Sequence, residues 1–345
     1  MEKGIYTRTE IFSQPEAWAD ALEVVQRAAP GLLPLLSRDY RQVLFTGCGS
    51  TYYLSLAAAS LFQELTGRIA RAVPGGELLL NPSIVVTDTD AGDTLLVAIS
   101  RSGSTTETVR AVEQFKRQQR GPVIVITNYG DQPLAGLADV ALVIEKGQEE
   151  SVAQTRSFAS MYVAATALSA LASGDEQLLE KMAKLPDVGR KLLDTHEPVA
   201  RKFGENLAYD RFYFLGSGSR YGLACEVNLK MKEMTLTHSE PFRFMEFRHG
   251  PMSMVTGSAV VVGLLSEKNF SHESAVLNEM QAKGGSILTL AETGAMVSFE
   301  SGIPESVRGV LYLPALQLMA FYRSLAKGLD PDRPANLTAV VTLDL

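Results

Sequence analysis

Two stretches of this chain carry side chains whose types and spacing suit chemistry. The first is Ser100-Arg101-Ser102-Gly103-Ser104-Thr105-Thr106-Glu107-Thr108, directly after the apolar run Leu95 to Ile99. The run reads as a short buried strand, and Glu107 to Gln119 has helical spacing. A helix N-terminus presents unpaired backbone N–H groups and the positive end of a dipole, so it attracts anions. Hydroxyls at Ser100, Ser102, Ser104 and Thr105 add donors, and Gly103 lets the backbone come close to a ligand. Plain capping of the helix needs one such hydroxyl. This turn carries five and a glycine, which favours an anion site.

The second stretch is Glu226-Val227-Asn228-Leu229-Lys230-Met231-Lys232-Glu233-Met234, where Glu226, Lys230 and Glu233 share one helical face. By spacing alone this is a solvated face with ordinary salt bridges. The residues just downstream shift the balance: His238-Ser239-Glu240-Pro241, then Glu246-Phe247-Arg248-His249-Gly250-Pro251. His249 lies in a Gly-Pro turn among charges. A carboxylate and a histidine near a phosphate suit acid–base work on a sugar. The polar segment Glu149 to Phe158 has two readings, a ligand contact or the cap of a helix over Met161 to Leu171. Tyr52, Tyr53, Phe244 and Met245 are pocket candidates, although core packing accounts for such residues more often.

The elements that must position these groups come twice. Phe45-Thr46-Gly47-Cys48-Gly49-Ser50-Thr51-Tyr52-Tyr53-Leu54 recurs as Phe214-Leu215-Gly216-Ser217-Gly218-Ser219-Arg220-Tyr221-Gly222-Leu223, identical at six of ten positions. Each copy comes after an apolar strand (Val43 to Phe45, Phe212 to Leu215) and enters an Ala- and Leu-rich helix. Second strands are expected at Leu95 to Ser100 and Val261 to Ser266, with Glu107 and Glu273 each seven residues beyond that serine. Third strands are expected at Pro122 to Thr127 and Ser286 to Leu290. Strand–helix alternation of this kind predicts parallel sheets with helices on both faces, and ligands at the strands' C-terminal ends. The copies diverge at the anion loop: the second has Ser266-Glu267-Lys268-Asn269-Phe270-Ser271, without the glycine and most hydroxyls. A single kind of phosphate site, in the first half, is expected.

The glycine turns do not complete a dinucleotide fingerprint, since Tyr52 and Tyr221 stand at the third glycine position, and no P-loop pattern is present. No cofactor and no metal is expected. At 345 residues and 46% hydrophobic content the chain supports two domains, drawn at 1–195, with a leading helical segment, and 196–345. No apolar run approaches the roughly 18 residues of a membrane span, and the N-terminus lacks a signal-peptide layout. Cys48 and Cys225 are the two cysteines, too few for a disulfide scaffold. With a net charge of −7 and no basic block, neither nucleic acid nor membrane is an expected partner. A cytoplasmic protein is the natural expectation.

At these residues the chain resembles the double sugar-isomerase (SIS) proteins, in particular the isomerase half of glutamine–fructose-6-phosphate aminotransferases and stand-alone amino-sugar-phosphate enzymes. The markers are Gly47-Cys48-Gly49-Ser50-Thr51, Ser100 to Thr105, Val152-Ala153-Gln154-Thr155-Arg156, Leu229-Lys230-Met231-Lys232-Glu233, His249-Gly250-Pro251 and Pro334-Ala335-Asn336-Leu337. The resemblance implies two doubly wound α/β domains, each a flavodoxin-like three-layer sandwich. It implies that Ser100, Arg101, Ser102 and Thr105, with Ser50 and Thr51, hold a sugar phosphate. Glu233 matches the base that moves a proton between C1 and C2, with Lys230 on the same helix. His249 matches the ring-opening histidine, contributed across a homodimer. Glu149 and Val152 match substrate-lining positions. Two departures stand out. No glutaminase portion precedes the isomerase portion, so glutamine-dependent synthesis by this polypeptide alone is not expected. Ala339 occupies the position of a lysine that engages the open-chain sugar.

The expectation is an isomerase/deaminase of an amino-sugar 6-phosphate. Three alternatives stay open: a simple isomerase of a hexose or N-acetylhexosamine phosphate, a fructosamine-6-phosphate deglycase, and a non-catalytic sugar-phosphate sensor. Against the sensor, residues 1–40 are short and acidic for a DNA-binding head, and a sensor has no use for a base.

Overall fold

The computed structural model describes residues 3–86, 92–338 and 343, which form two compact units. Residues 16–149 and 156–183, with Thr338 and Leu343, make one; residues 3–15, 150–155 and 184–337 make the other.

The first unit is built on a five-stranded parallel sheet in the order β2-β1-β3-β4-β5. Its strands are β1 (Gln42–Gly47), β2 (Ala70–Pro74), β3 (Thr94–Ser100), β4 (Val123–Thr127) and β5 (Val140–Val143). β1, β3 and β4 are buried along their whole length, as expected for central parallel strands covered on both faces. Their apolar runs, such as Val123-Ile124-Val125-Ile126, were therefore readable as strands. Helix Thr106–Arg117 buries Thr108, Ala111, Val112 and Phe115, of which the last three join Leu44, Leu96, Ala98 and Val125 in one core. Its ends carry Glu107 and then Lys116 and Arg117, charges that complement the helix dipole.

The second unit repeats the plan with β6 (Arg211–Leu215), β7 (His238–Phe242), β8 (Ala259–Leu264), β9 (Ser286–Ala291) and β10 (Val297–Ser298). The order β10-β9-β8-β6-β7 is that of the first sheet read from the other edge, and every pairing is parallel. Helix Arg220–Thr235 packs against it and helix Leu313–Ala326 packs on that helix, and helix Ile5–Phe12 joins this unit from the far end of the sequence.

The repeated glycine turns also agree in detail. A Cβ on Gly47 would sit 2.6 Å from Thr51 Oγ1, and one on Gly216 would sit 2.4 Å from the Arg220 carbonyl oxygen. In both copies the strand meets the next helix so closely that only glycine fits. These turns lie where the strand order reverses, between β1 and β3 and between β6 and β8, the usual ligand position of such sheets.

Candidate active site

In the first unit the Ser100–Thr105 turn gathers three hydroxyls. Ser100 Oγ and Ser102 Oγ each lie 3.5 Å from Thr105 Oγ1. The turn is tied internally: the Gly103 N–H donates to Ser100 Oγ at 3.2 Å, and the Ser104 N–H to Ser102 Oγ at 3.3 Å. Gly103 has φ +64°, and a Cβ there would stand 2.8 Å from the Gln132 Cβ. Thr105 is the N-cap residue of helix Thr106–Arg117, yet its side chain makes no capping hydrogen bond. Its hydroxyl is turned toward the serines instead. Side-chain capping by Thr105 is therefore not the use of this hydroxyl, a point not decidable from residue types.

Arg101 is buried and lies 3.6 Å from Glu149 Oε2, whose side chain is 0% exposed. Glu149 also accepts from the Ser157 N–H at 3.1 Å and from the Ser157 hydroxyl. Of the two readings of the Glu149 to Phe158 segment, the structure thus gives Glu149 a capping role on helix Arg156–Ser173, joined to an ion pair with Arg101. Ser50 and Thr51 are buried at the start of helix Ser50–Thr66. The Thr51 hydroxyl closes its own turn, accepting from the Cys48 N–H at 2.9 Å and donating to the Cys48 carbonyl at 3.0 Å.

In the second unit, Lys230 is 1% exposed on helix Arg220–Thr235, with its Nζ 2.5 Å from Glu233 Oε2 and 3.4 Å from Glu226 Oε1. Glu226 is 1% exposed and Glu233 21%. The triad is therefore a buried ionic cluster rather than a solvated face. It presents one carboxylate, Glu233, to solvent. Isolated charges are costly to bury, and the lysine between two carboxylates offsets that cost by direct pairing. His249 is exposed in the turn before Gly250, its N–H donating to the Glu246 carbonyl at 3.0 Å. Val152 is half-buried, and its N–H donates to the Asp332 carbonyl at 3.0 Å. Phe244 is fully buried in the core beside Tyr213 and Phe247, whereas Met245 is exposed. Ala339 lies outside the described residues.

The degenerate loop of the second unit has the same frame with a different filling. The Asn269 N–H donates to Ser266 Oγ at 2.9 Å, matching Gly103 to Ser100. Glu305 Oε2 accepts from the N–H groups of Glu267 (3.0 Å) and Lys268 (3.4 Å), and its Oε1 from Arg220 Nη1 at 2.5 Å. Glu273 Oε2 accepts from the Ser266 N–H at 2.6 Å. Side-chain carboxylates thus occupy backbone donors equivalent to those of the Ser100–Thr105 loop. The loss of hydroxyls was visible in the sequence; the substitute acceptor, 38 residues from Glu267, was not.

Two parallel five-stranded sheets of identical strand order, one with a hydroxyl-lined loop at its switch point, define a duplicated α/β protein. A family model described as the SIS domain matches residues 37–171 and 208–296. The chain belongs to the SIS-domain family. It is 29% identical over 361 residues to a glutamine–fructose-6-phosphate aminotransferase (isomerizing) of Pyrococcus horikoshii, covering 99% of this chain and 59% of that one. A counterpart from Aeropyrum pernix is 30% identical over 97% of this chain and 57% of its own. The chain spans about three-fifths of the length of these relatives. Among solved structures, glucosamine-6-phosphate deaminase of Thermotoga maritima is 26% identical with a TM-score of 0.79, over 98% of this chain and 99% of its own. The tagatose-6-phosphate ketose/aldose isomerase of Escherichia coli, 23% identical with a TM-score of 0.85 over 97% and 96%, shares the fold.

Proposed function

We propose that the chain is a sugar-phosphate isomerase/deaminase acting on an amino-sugar 6-phosphate of the glucosamine 6-phosphate kind. The observation that carries this reading is the buried triad of Glu226, Lys230 and Glu233, with Glu233 alone reaching solvent. A single accessible carboxylate, oriented by a buried ammonium, is the equipment for moving one proton between adjacent carbons. Full-length similarity to the Thermotoga maritima deaminase supports the choice of an amino sugar.

In this reading the Ser100, Ser102 and Thr105 hydroxyls, with Arg101 and the helix N-terminus, hold the 6-phosphate. Ser50 and Thr51 shape the neighbouring turn, and Glu149 keeps Arg101 in place. His249, exposed on its own subunit, serves the site of a partner subunit in a homodimer, protonating the ring oxygen as the sugar opens. Glu233 then takes the proton from C2, forming an enolamine, and returns it to C1. The resulting C2 imine adds water and releases ammonia, leaving the ketose 6-phosphate. Lys230 positions Glu233 throughout.

The test is ammonia release from purified protein across hexosamine 6-phosphates, with glucosamine 6-phosphate and a fructosamine 6-phosphate compared directly. Glu233→Gln is expected to lower kcat by about 10²-fold or more and to leave sugar-phosphate binding within about threefold. Near-normal turnover by that variant would remove Glu233 from the role of base.

A further inference from the structure

The short helix Ile5–Phe12 stands far in sequence from every residue discussed above, yet its Glu10 is 3% exposed. Glu10 Oε1 accepts from the Glu150 N–H at 2.6 Å and the Ser151 N–H at 3.1 Å, and Oε2 accepts from the Ser151 hydroxyl. One carboxylate thus satisfies three donors at the head of the segment Glu150–Thr155. The rest of the segment is held from two further places. The Val152 N–H donates to the Asp332 carbonyl at 3.0 Å, and Gln317 Nε2 donates to the Thr155 carbonyl at 3.1 Å. Asp332 closes the circuit. Its carboxylate accepts from the Thr7 N–H and hydroxyl, each at 2.7 Å, and from the Tyr6 N–H at 3.2 Å.

The segment has no helix or strand of its own to fix it. Its conformation therefore depends on these side-chain and carbonyl partners, and buried backbone N–H groups are costly to leave without an acceptor. We infer that Glu10 is a positioning residue for substrate, clasping Glu150–Thr155 so that Val152 and its neighbours meet the sugar. This rests on the sugar-phosphate reading above, in which Val152 lines the substrate. The helix Ile5–Phe12 is then part of the binding machinery, acting through Glu10 at one end of the segment and through Asp332 at its middle.

The test is carried out on the full chain with Glu10→Ala and Glu10→Gln. Amide exchange at Glu150 and Ser151 is expected to quicken about tenfold in Glu10→Ala, the size of a lost charge-assisted hydrogen bond, with slower change elsewhere. KM for glucosamine 6-phosphate should rise about tenfold with kcat within about twofold. Glu10→Gln, which keeps an acceptor oxygen, should recover part of both. Unchanged exchange at those two amides overturns the clasp. Quickened exchange with unchanged KM overturns the positioning role and leaves the function reading intact. A wild-type chain that neither binds nor converts glucosamine 6-phosphate overturns the function reading and this inference with it. Should Glu10→Ala fail to fold, Ser151→Ala removes one of the three donors, and the same exchange and KM shifts are expected in smaller size. Their absence there counts against the clasp equally.

Discussion

Arg101 and Glu149 form an ion pair at 3.6 Å in which the carboxylate side chain has no exposed surface. The same carboxylate caps helix Arg156–Ser173 through Ser157. One buried group therefore fixes both a helix start and the arginine of the Ser100–Thr105 loop.

Glu149→Gln keeps the shape and removes the charge. Taking one partner from a buried pair costs about 3 kcal/mol, so the urea midpoint should fall markedly. KM for the sugar phosphate should rise about tenfold as Arg101 loses its anchor. Urea denaturation and steady-state kinetics on the same preparation measure both.

Thr105→Ala separates a ligand hydroxyl from a cap. A working N-cap costs about 1 kcal/mol to remove, but Thr105 makes no capping bond. The variant should stay within about 0.5 kcal/mol of wild-type stability. Its affinity for sugar phosphate should fall about tenfold, the size of a hydrogen bond to a charged group. Calorimetric binding beside thermal unfolding reads the two quantities.

Lys230→Met places an apolar chain between Glu226 and Glu233. Buried Glu226 then loses the ammonium 3.4 Å away, and about 3 kcal/mol of stability should go with it. Glu233 loses the group that orients it, so kcat should fall at least about tenfold even where the variant is fully folded. Denaturant titration and single-turnover kinetics give the two numbers.

The two cysteines should differ in reactivity. Burial pushes the Cys225 thiol up to about 11, so at pH 8 only about one molecule in a thousand carries the thiolate that reacts. Burial also raises Cys48, less strongly, and Cys48 is half-exposed. Iodoacetamide labelling read by mass spectrometry between pH 7 and 9 should modify Cys48 first, with Cys225 rising about tenfold per pH unit in the native state. Prompt Cys225 labelling at pH 7 would contradict its burial.

How far the sequence carried these conclusions depends on where the apolar residues lie. β1, β3, β4 and β8 were legible because strands buried along their length need largely apolar runs, and β6 and β9 because apolar residues still predominate in them. The edge strands were not: β7 is His238-Ser239-Glu240-Pro241-Phe242 and β2 ends in Pro74, composition that reads as loop because an edge needs neither face fully apolar. The duplication showed itself because the Gly47 and Gly216 turns tolerate no side chain. At the site, the spacing of Glu226, Lys230 and Glu233 was visible but their burial was not, since charged residues on a helix face solvent in most proteins. Glu10 gave no signal at all. Its partners are 140 and 141 residues away, and pairing at that distance leaves no local pattern.

The Glu305 carboxylate on the second loop has a thermodynamic consequence. A tethered anion is present at an effective concentration no metabolite matches, so that loop is saturated at all times. In the proposed reading the first loop takes a ligand that diffuses, and its unit gains stability only as that ligand accumulates. Of two copies of one fold, one has its acceptor written into the chain, and the other, in the proposed reading, takes its acceptor from solution.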